Sequence, residues 1–215
     1  MTIFAKEGHV NMENSKMIAK AALEMLEKME IVSVGIDGLG GAGKSTIAEE
    51  VRTELEAAGV QVVLLHIDDL ITPRAVRYNK NFPEWECYYV LQWRYDYFTE
   101  KLEILKKGGK TEIELYDKDN DSYITEKFST AGRTVILTEG IFLQRKELDG
   151  SFDLTVYIDL PENIRLERVL CRDRYIGNDE EIRAKYEGRY FPAERRYVEE
   201  YSPSLRADIT VSLNS

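Results

Sequence analysis

The sequence predicts an α/β domain with a doubly wound, mainly parallel sheet flanked by helices. Three observations predict it. Short runs rich in β-branched residues recur at 31–36, 60–67, 134–138, 154–158 and 208–211. Segments with helical periodicity lie between most of them, as parallel neighbours require. At 215 residues, 43% hydrophobic and 32% charged, the chain has enough apolar material for one core of ordinary size.

Each element follows from its pattern. Met17, Ile18, Ala21, Ala22, Met25, Leu26 and Met29 share one helical face, with Asn14 or Ser15 as a cap; residues 1–30 read as an N-terminal helical extension. The strand over 31–36 is followed by a helix over 44–58, stopped at Gly59, and by the strand over 60–67. Residues 73–83 are irregular. Residues 85–107 look helical and end at Gly108-Gly109. Residues 110–128 mix β-prone pieces with a polar stretch and read as a hairpin or flap, a substrate-side insert. Strands over 134–138 and 154–158 precede helices over 161–174 and 181–200 and a last strand over 208–211. There are no repeats or linkers, so residues 1–215 are expected to be a single domain.

Composition excludes several classes. The net charge of −10 repels nucleic acid and anionic membranes, so an anionic ligand needs a local cluster of cations and backbone N–H groups. No run of about 18 apolar residues exists, and residues 1–12 lack the basic and apolar regions of a signal peptide. Cys87 and Cys171 are isolated, which suggests neither disulfide nor zinc site and fits a reduced, cytoplasmic setting. His9 and His66 are the only histidines; His66, within an apolar strand pattern, reads as packed rather than metal-binding.

The segment Gly38-Leu39-Gly40-Gly41-Ala42-Gly43-Lys44-Ser45 matches G-x-x-x-x-G-K-[ST]. Chance gives such a match on the order of once per hundred chains of this length, and a strand before it with a helix after it is the context the motif demands. Glycines let successive N–H groups turn inward as an anion nest. The following helix adds its positive end. Lys44 is expected on the β- and γ-phosphates, the Ser45 hydroxyl on magnesium, and Thr46 near the α-phosphate. ATP and Mg2+ are the cofactors implied.

In open α/β sheets, ligands sit beyond the carboxyl ends of the strands. The strand over 60–67 runs into Asp68-Asp69 and the strand over 134–138 into Glu139-Gly140. A kinase acting on an alcohol needs a carboxylate to orient the hydroxyl and accept its proton, and acidic or hydroxyl groups around the metal. Asp68 fits the first role. Glu139 fits the second, through a metal-bound water. Asp69 reads as a cap or turn residue, and Gly140 permits close backbone approach.

Together GIDGLGGAGKST, HIDDL, TEGIF, YIDLPENIRLERVLCRD and RADITV resemble the P-loop kinases of the uridine kinase and phosphoribulokinase group, with gaps, from about Val32 to Val211. The resemblance implies ATP-dependent transfer of the γ-phosphoryl group to a hydroxyl of a small metabolite. It implies Asp68 as base, Glu139 on the metal side, and Arg168, Arg172 and Asp173 as the lid motif. Tyr186, Arg189 and Pro192, then Pro203 and Ala207-Asp208-Ile209, follow the family's C-terminal pattern. The sequence departs at Leu70 and Ile71, where the family has an aromatic pair. After Tyr116-Asp117 it has Lys118, and Asp121 and Tyr123 stand at the family's histidine and arginine positions. The glycine-flanked arginines expected after the lid motif are replaced by Arg174-Tyr175-Ile176-Gly177-Asn178. The phosphoryl-transfer half is kept and the acceptor half altered.

Arg165, Arg168 and Arg172 are spaced i, i+3, i+7 on one helical face, and arginines of a lid over 168–185 would neutralise transition-state charge while excluding water. Arg168 and Arg172 are therefore catalytic candidates with Lys44 and Asp68. Asp68, Tyr116, Asp117 and Arg165 are the candidate acceptor contacts. Of the aromatic residues between Trp85 and Phe98, many belong to the core, and some are expected beside the acceptor with Arg94. The partner expected is a small-molecule hydroxyl acceptor, not nucleic acid or a membrane. A nucleotide-dependent switch that engages a protein partner, or a kinase paralogue that has lost activity, are the alternatives; a switch needs no base at Asp68.

Overall fold

A computed structural model describes residues 2–213, with side chains described from Glu13 onward; the expectation for His9 lies outside those side chains. Helix α1 (Thr2–Met25) leads to β1 (Ile31–Gly38), α2 (Lys44–Ala57) and β2 (Gln61–His66). A 3-10 turn at Ile67–Asp69 is followed by short helices α3 (Arg74–Arg77) and α4 (Glu84–Glu86), a π-helical turn at Cys87–Leu91, and α5 (Tyr95–Lys106). The hairpin of β3 (Lys110–Asp117) and β4 (Ser122–Ser129) precedes β5 (Thr134–Gly140), β6 (Leu154–Asp159) and α6 (Glu162–Arg172). Then come α7 (Asp179–Lys185), a second π turn at Tyr186–Tyr190, α8 (Phe191–Tyr201), α9 (Pro203–Arg206) and β7 (Ile209–Ser212).

The main sheet has the order β2-β5-β1-β6-β7, with every pairing parallel. This is the doubly wound sheet the strand pattern predicts. The alternation of strand side chains decides what each face holds. Val32, Val34 and Ile36 of β1 pack with Ile18 and Ala22 of α1 and Ile47 and Val51 of α2. The opposite face of β1 carries Ser33, Gly35 and Asp37. Gly35 is required there by packing, because an added Cβ would sit 2.8 Å from the Phe152 ring. That second face is covered by α5, the hairpin and α8, through Phe98, Leu102, Ile113 and Tyr197, with Phe142 from the segment after β5.

Three elements differ from their sequence patterns. Helix α1 starts well before residue 15, so Asn14 and Ser15 lie inside it and cap nothing; Ser15 is buried and hydrogen-bonds Glu50 of α2. The helix expected over 85–107 is broken, because Trp93 leaves it to form an antiparallel bridge with Ile71. Around that bridge the Thr72 N–H donates to Gln92 O at 2.9 Å and the Arg94 N–H to Leu70 O at 3.0 Å. The helix expected over 181–200 begins at Asp179, behind a capping box in which Asn178 and Glu181 satisfy each other's backbone N–H groups, and carries the second π turn. Residues 110–128 do form a hairpin. Among the described residues no helix is long and apolar enough to cross a membrane.

Candidate active site

The loop from Gly38 to Ser45 joins the end of β1 to the start of α2. Gly41 and Gly43 have φ of 81° and 96°, a region that side chains with a Cβ rarely adopt. Gly43 is the N-cap of α2 and supplies no side-chain hydrogen bond, and the first turn has no acidic residue. The positive end of the helix is thus left to an anion. Lys44 folds back, its Nζ donating to Leu39 O at 3.2 Å.

Behind the loop, Arg165 and Glu194 are 3% and 1% exposed and meet at 2.7 Å. Glu194 accepts from the Gly40 N–H at 2.9 Å, and Arg165 donates to Gly40 O at 3.0 Å and Leu160 O at 3.0 Å. This pair holds both backbone groups of one loop residue. Burial raises the Glu194 pKa, and the Arg165 charge opposes that rise. Arg165 therefore packs under the loop rather than facing the acceptor. In front of the strand, the buried Asp37 accepts from Gly38 N–H at 2.8 Å, Leu143 N–H at 3.3 Å, Gln144 Nε2 at 3.2 Å and Tyr197 OH at 2.5 Å.

The carboxylates stand where strand topology puts them, since β5 lies between β1 and β2 and all three end at one edge. Glu139 at the end of β5 accepts from Ser45 Oγ at 3.0 Å and lies 2.7 Å from His66 Nδ1. Burial pushes the Glu139 pKa up, but the His66 hydrogen bond, Lys44 and Ser45 outweigh it and leave it lowered. The same hydrogen bond raises His66. His66 is thus half-exposed at the strand end against Glu139, not packed in the core as its apolar neighbours suggested. Asp68 sits in the 3-10 turn after β2. Its carboxyl is reached by solvent through the cleft, yet enclosure there raises its pKa; Lys44 opposes the rise, and Glu139 and Asp69 add to it. Gly140 sets that turn, since a Cβ on it would come within 2.0 Å of Ile67 Cγ2.

Gly40, Gly41, Lys44, Ser45, Asp68, Tyr116, Glu139 and Arg172 all line one cleft of about 500 Å³. Arg172 is held by Asp173 at 2.6 and 3.0 Å and by Tyr186 OH at 3.3 Å, and the Asp173 contact raises its pKa. Arg168 lies outside that wall, with Nη1 3.5 Å from Ala42 O. Asp117 caps the hairpin turn, accepting from Asp119 N–H at 3.0 Å and Asn120 Nδ2 at 2.6 Å. Arg94 pairs with Glu114 at 2.7 Å, under the hairpin. Thr46 follows Ser45 in the first turn of α2.

The hairpin positions that depart from the resemblance have other partners. Asp121 accepts from Tyr116 OH at 2.7 Å and from Arg74 N–H at 2.9 Å, and Tyr123 OH donates to Ile71 O at 3.0 Å. Neither lines the cleft. Its cations on that side are Arg74, Arg77, Lys118 and Arg189. Arg77, Glu194 and Asp37 were not singled out from sequence. Glu194 had a signal: it interrupts the buried stripe of Phe191, Tyr197 and Tyr201 on α8.

Ser45 Oγ and the Glu139 carboxylate present hard oxygen donors at one point beside the phosphate loop. Magnesium, bound through one or two protein oxygens with phosphates and waters completing its shell, fits such a pair.

A family model described as the Phosphoribulokinase / Uridine kinase family matches residues 33–212. A uridine kinase of Staphylococcus haemolyticus is 30% identical over 141 residues, covering 65% of this chain and 67% of that protein. One of Schizosaccharomyces pombe is 29% identical, over 68% of this chain and 33% of that protein. The structure of a Bacillus stearothermophilus protein described as a possible uridine kinase superposes with a TM-score of 0.75 at 30% identity, covering 92% of this chain and 97% of that one.

Proposed function

The chain belongs to the phosphoribulokinase/uridine kinase family of P-loop kinases, and on that premise we propose that it transfers the γ-phosphoryl group of ATP, with magnesium, to a hydroxyl of a small metabolite. The observation that carries this is the convergence of Lys44, Ser45, Asp68, Glu139 and Arg172 on one cleft at the ends of β1, β5 and β2. The loop N–H groups and Lys44 hold the phosphates. Ser45, and Glu139 through a bound water, would hold the metal, which would supply charge neutralisation at the phosphate oxygens. Asp68 orients the acceptor hydroxyl and takes its proton as the new O–P bond forms. The bond to the β–γ bridging oxygen breaks, and ADP leaves with that electron pair.

Arg172 and Arg168, on a lid over 168–185, neutralise the equatorial oxygens after the lid closes; Arg172 must then exchange Asp173 for phosphate. The kinship with uridine kinases supports a nucleoside or related acceptor. Both cysteines are free thiols, which fits a reduced, cytoplasmic setting.

The test is ADP production from Mg-ATP across a panel of hydroxyl acceptors. Asp68→Asn is expected to lower kcat about 10²- to 10⁴-fold with little change in the KM for ATP, and Lys44→Ala to abolish turnover. ADP release that is independent of every acceptor and unaltered in Asp68→Asn overturns the proposal.

A further inference from the structure

The acceptor side of the cleft holds two buried guanidinium groups that phosphoryl transfer does not use. Arg189, in the second π turn, is 1% exposed. Its terminal nitrogens donate to Glu84 O at 3.0 Å, Arg77 O at 3.1 Å and Gln92 Oε1 at 3.0 Å, all neutral acceptors. Its Nε–H has no acceptor among the described residues. Among the described residues no carboxylate forms an ion pair with it: the nearby Glu84, whose pKa Lys185 lowers most and Arg189 helps to lower, is bound to Lys185 at 2.8 Å. The Tyr78 ring lies 4.3 Å from it, and the Tyr88 ring 5.3 Å. Arg77 donates to Thr72 O and to Tyr116 OH, and its closest carboxylate, Asp121 at 3.9 Å, is already engaged by Tyr116 and Arg74.

A guanidinium cannot shed its proton, so burial without a counter-charge is costly unless something else supplies that charge. This chain has 39 acidic residues against 29 basic ones, so carboxylates are not scarce. Of the carboxylates that line the cleft, Asp68 and Glu139 stand at the phosphoryl-transfer end, Asp173 is on Arg172, Glu194 is on Arg165, and Asp119 sits in the hairpin turn. Arg189 and Arg77 line the same cleft; Arg189 has no ion pair among the described residues, and Arg77 has the 3.9 Å contact with the already engaged Asp121.

We infer that the acceptor carries an anionic group, a carboxylate or a phosphate monoester, bound by Arg189 with Arg77, while its reacting hydroxyl sits beside Asp68. This rests on the kinase reading and, in place of a neutral nucleoside, selects acceptors charged at the end remote from the chemistry. Bonds made and broken are those already given: the hydroxyl proton goes to Asp68, the γ-phosphorus gains the acceptor oxygen, and ADP departs. Arg189 is then a specificity-determining residue, with the Tyr78 and Tyr88 rings against its guanidinium.

The test compares initial rates with Mg-ATP for matched acceptors: glycerate against glycerol, ribose 5-phosphate against ribose, and uridine and cytidine as neutral nucleosides. The expected result is a kcat/KM at least about a hundredfold higher for an anionic member than for its neutral counterpart. The carboxylate and phosphate arms show which anion is read. Arg189→Lys and Arg189→Gln, checked for folding by thermal melting, should raise the KM for that acceptor at least about tenfold and leave the KM for ATP within about twofold. If either variant fails to fold, the wild-type panel still decides. Neutral nucleosides used as well as anionic acceptors, or Arg189 variants that change both KM values alike, overturn the inference and leave the kinase intact. ADP formation without phosphorylation of any acceptor overturns the kinase reading itself.

Discussion

Asp68 must be ionised to accept a proton, and its surroundings make that harder. Enclosure in the cleft raises its pKa, Lys44 pulls it down, and Glu139 and Asp69 push it up again. A base with a raised pKa receives a proton more readily once ionised, but it is lost sooner as the pH falls. The expected pH profile of kcat/KM therefore falls on its acid side through a value above the ordinary aspartate range. In Asp68→Asn that limb should vanish at a much lower plateau; a variant that keeps both the limb and the rate would refute the base assignment. Gly140 acts on the same group from behind. Gly140→Ala would drive a methyl into Ile67, at 2.0 Å, and shift the turn that carries Asp68. A fall in kcat of about tenfold or more is expected with ATP affinity largely kept, and equal losses in both would point to general unfolding instead. Asp68 and Glu139 could be picked out from sequence because each directly follows an apolar strand. Asp37 was hidden, since the side chains that engage it lie more than a hundred residues away, and Glu194 left only its break in the buried stripe of α8.

Among the elements, the donor half of the site is local in sequence and the acceptor half is not. The phosphate loop and the first turn of α2 are contiguous, so their pattern is visible in one motif. The acceptor side is built from α3, two π turns and the hairpin, and the π turns bring the Tyr88 and Tyr190 rings within 4.8 Å. Such turns occur often at functional sites and leave no clear periodicity in sequence. The break at Trp93 was likewise hidden, because a single bridge to Ile71 decides it. Helix α8 joins the halves through Glu194, whose pair with Arg165 holds Gly40. Glu194→Gln keeps the shape but leaves the buried Arg165 without its counter-charge. The expected cost is about 3 kcal/mol of stability, with a higher KM for ATP. Thermal melting and nucleotide kinetics check this, and an unchanged melting temperature with an unchanged KM would show that the pair does not hold the loop.

At the scale of the whole molecule, five parallel strands between two helical layers bring the three strand ends together, and one buried carboxylate ties the layers across β1. The sheet was legible because near-continuous β-branched runs, alternating with helical segments, are the pattern of parallel strands covered on both faces. Which polar residue would be left inside was not. Asp37 receives only donors, two backbone N–H groups and the side chains of Gln144 and Tyr197, so its environment suits the ionised form. Burial nevertheless pushes its pKa up, with Tyr197 the largest opposing influence. Tyr197→Phe removes that donor and also the acceptor of the Gln144 N–H, 3.0 Å away. The expected loss is about 2 to 3 kcal/mol near neutral pH. Its pH dependence has a definite sign. The Tyr197 hydroxyl favours the carboxylate, so the variant raises the folded-state pKa of Asp37 further. The destabilisation is full where Asp37 is ionised and shrinks as the pH falls through that pKa. Denaturant unfolding of both proteins at neutral and mildly acidic pH should thus give curves closer together in acid. An equal gap at both would mean that the Tyr197 hydroxyl does not discriminate between the two forms of Asp37 over that range, and a gap that widens in acid would mean that it favours the protonated carboxyl.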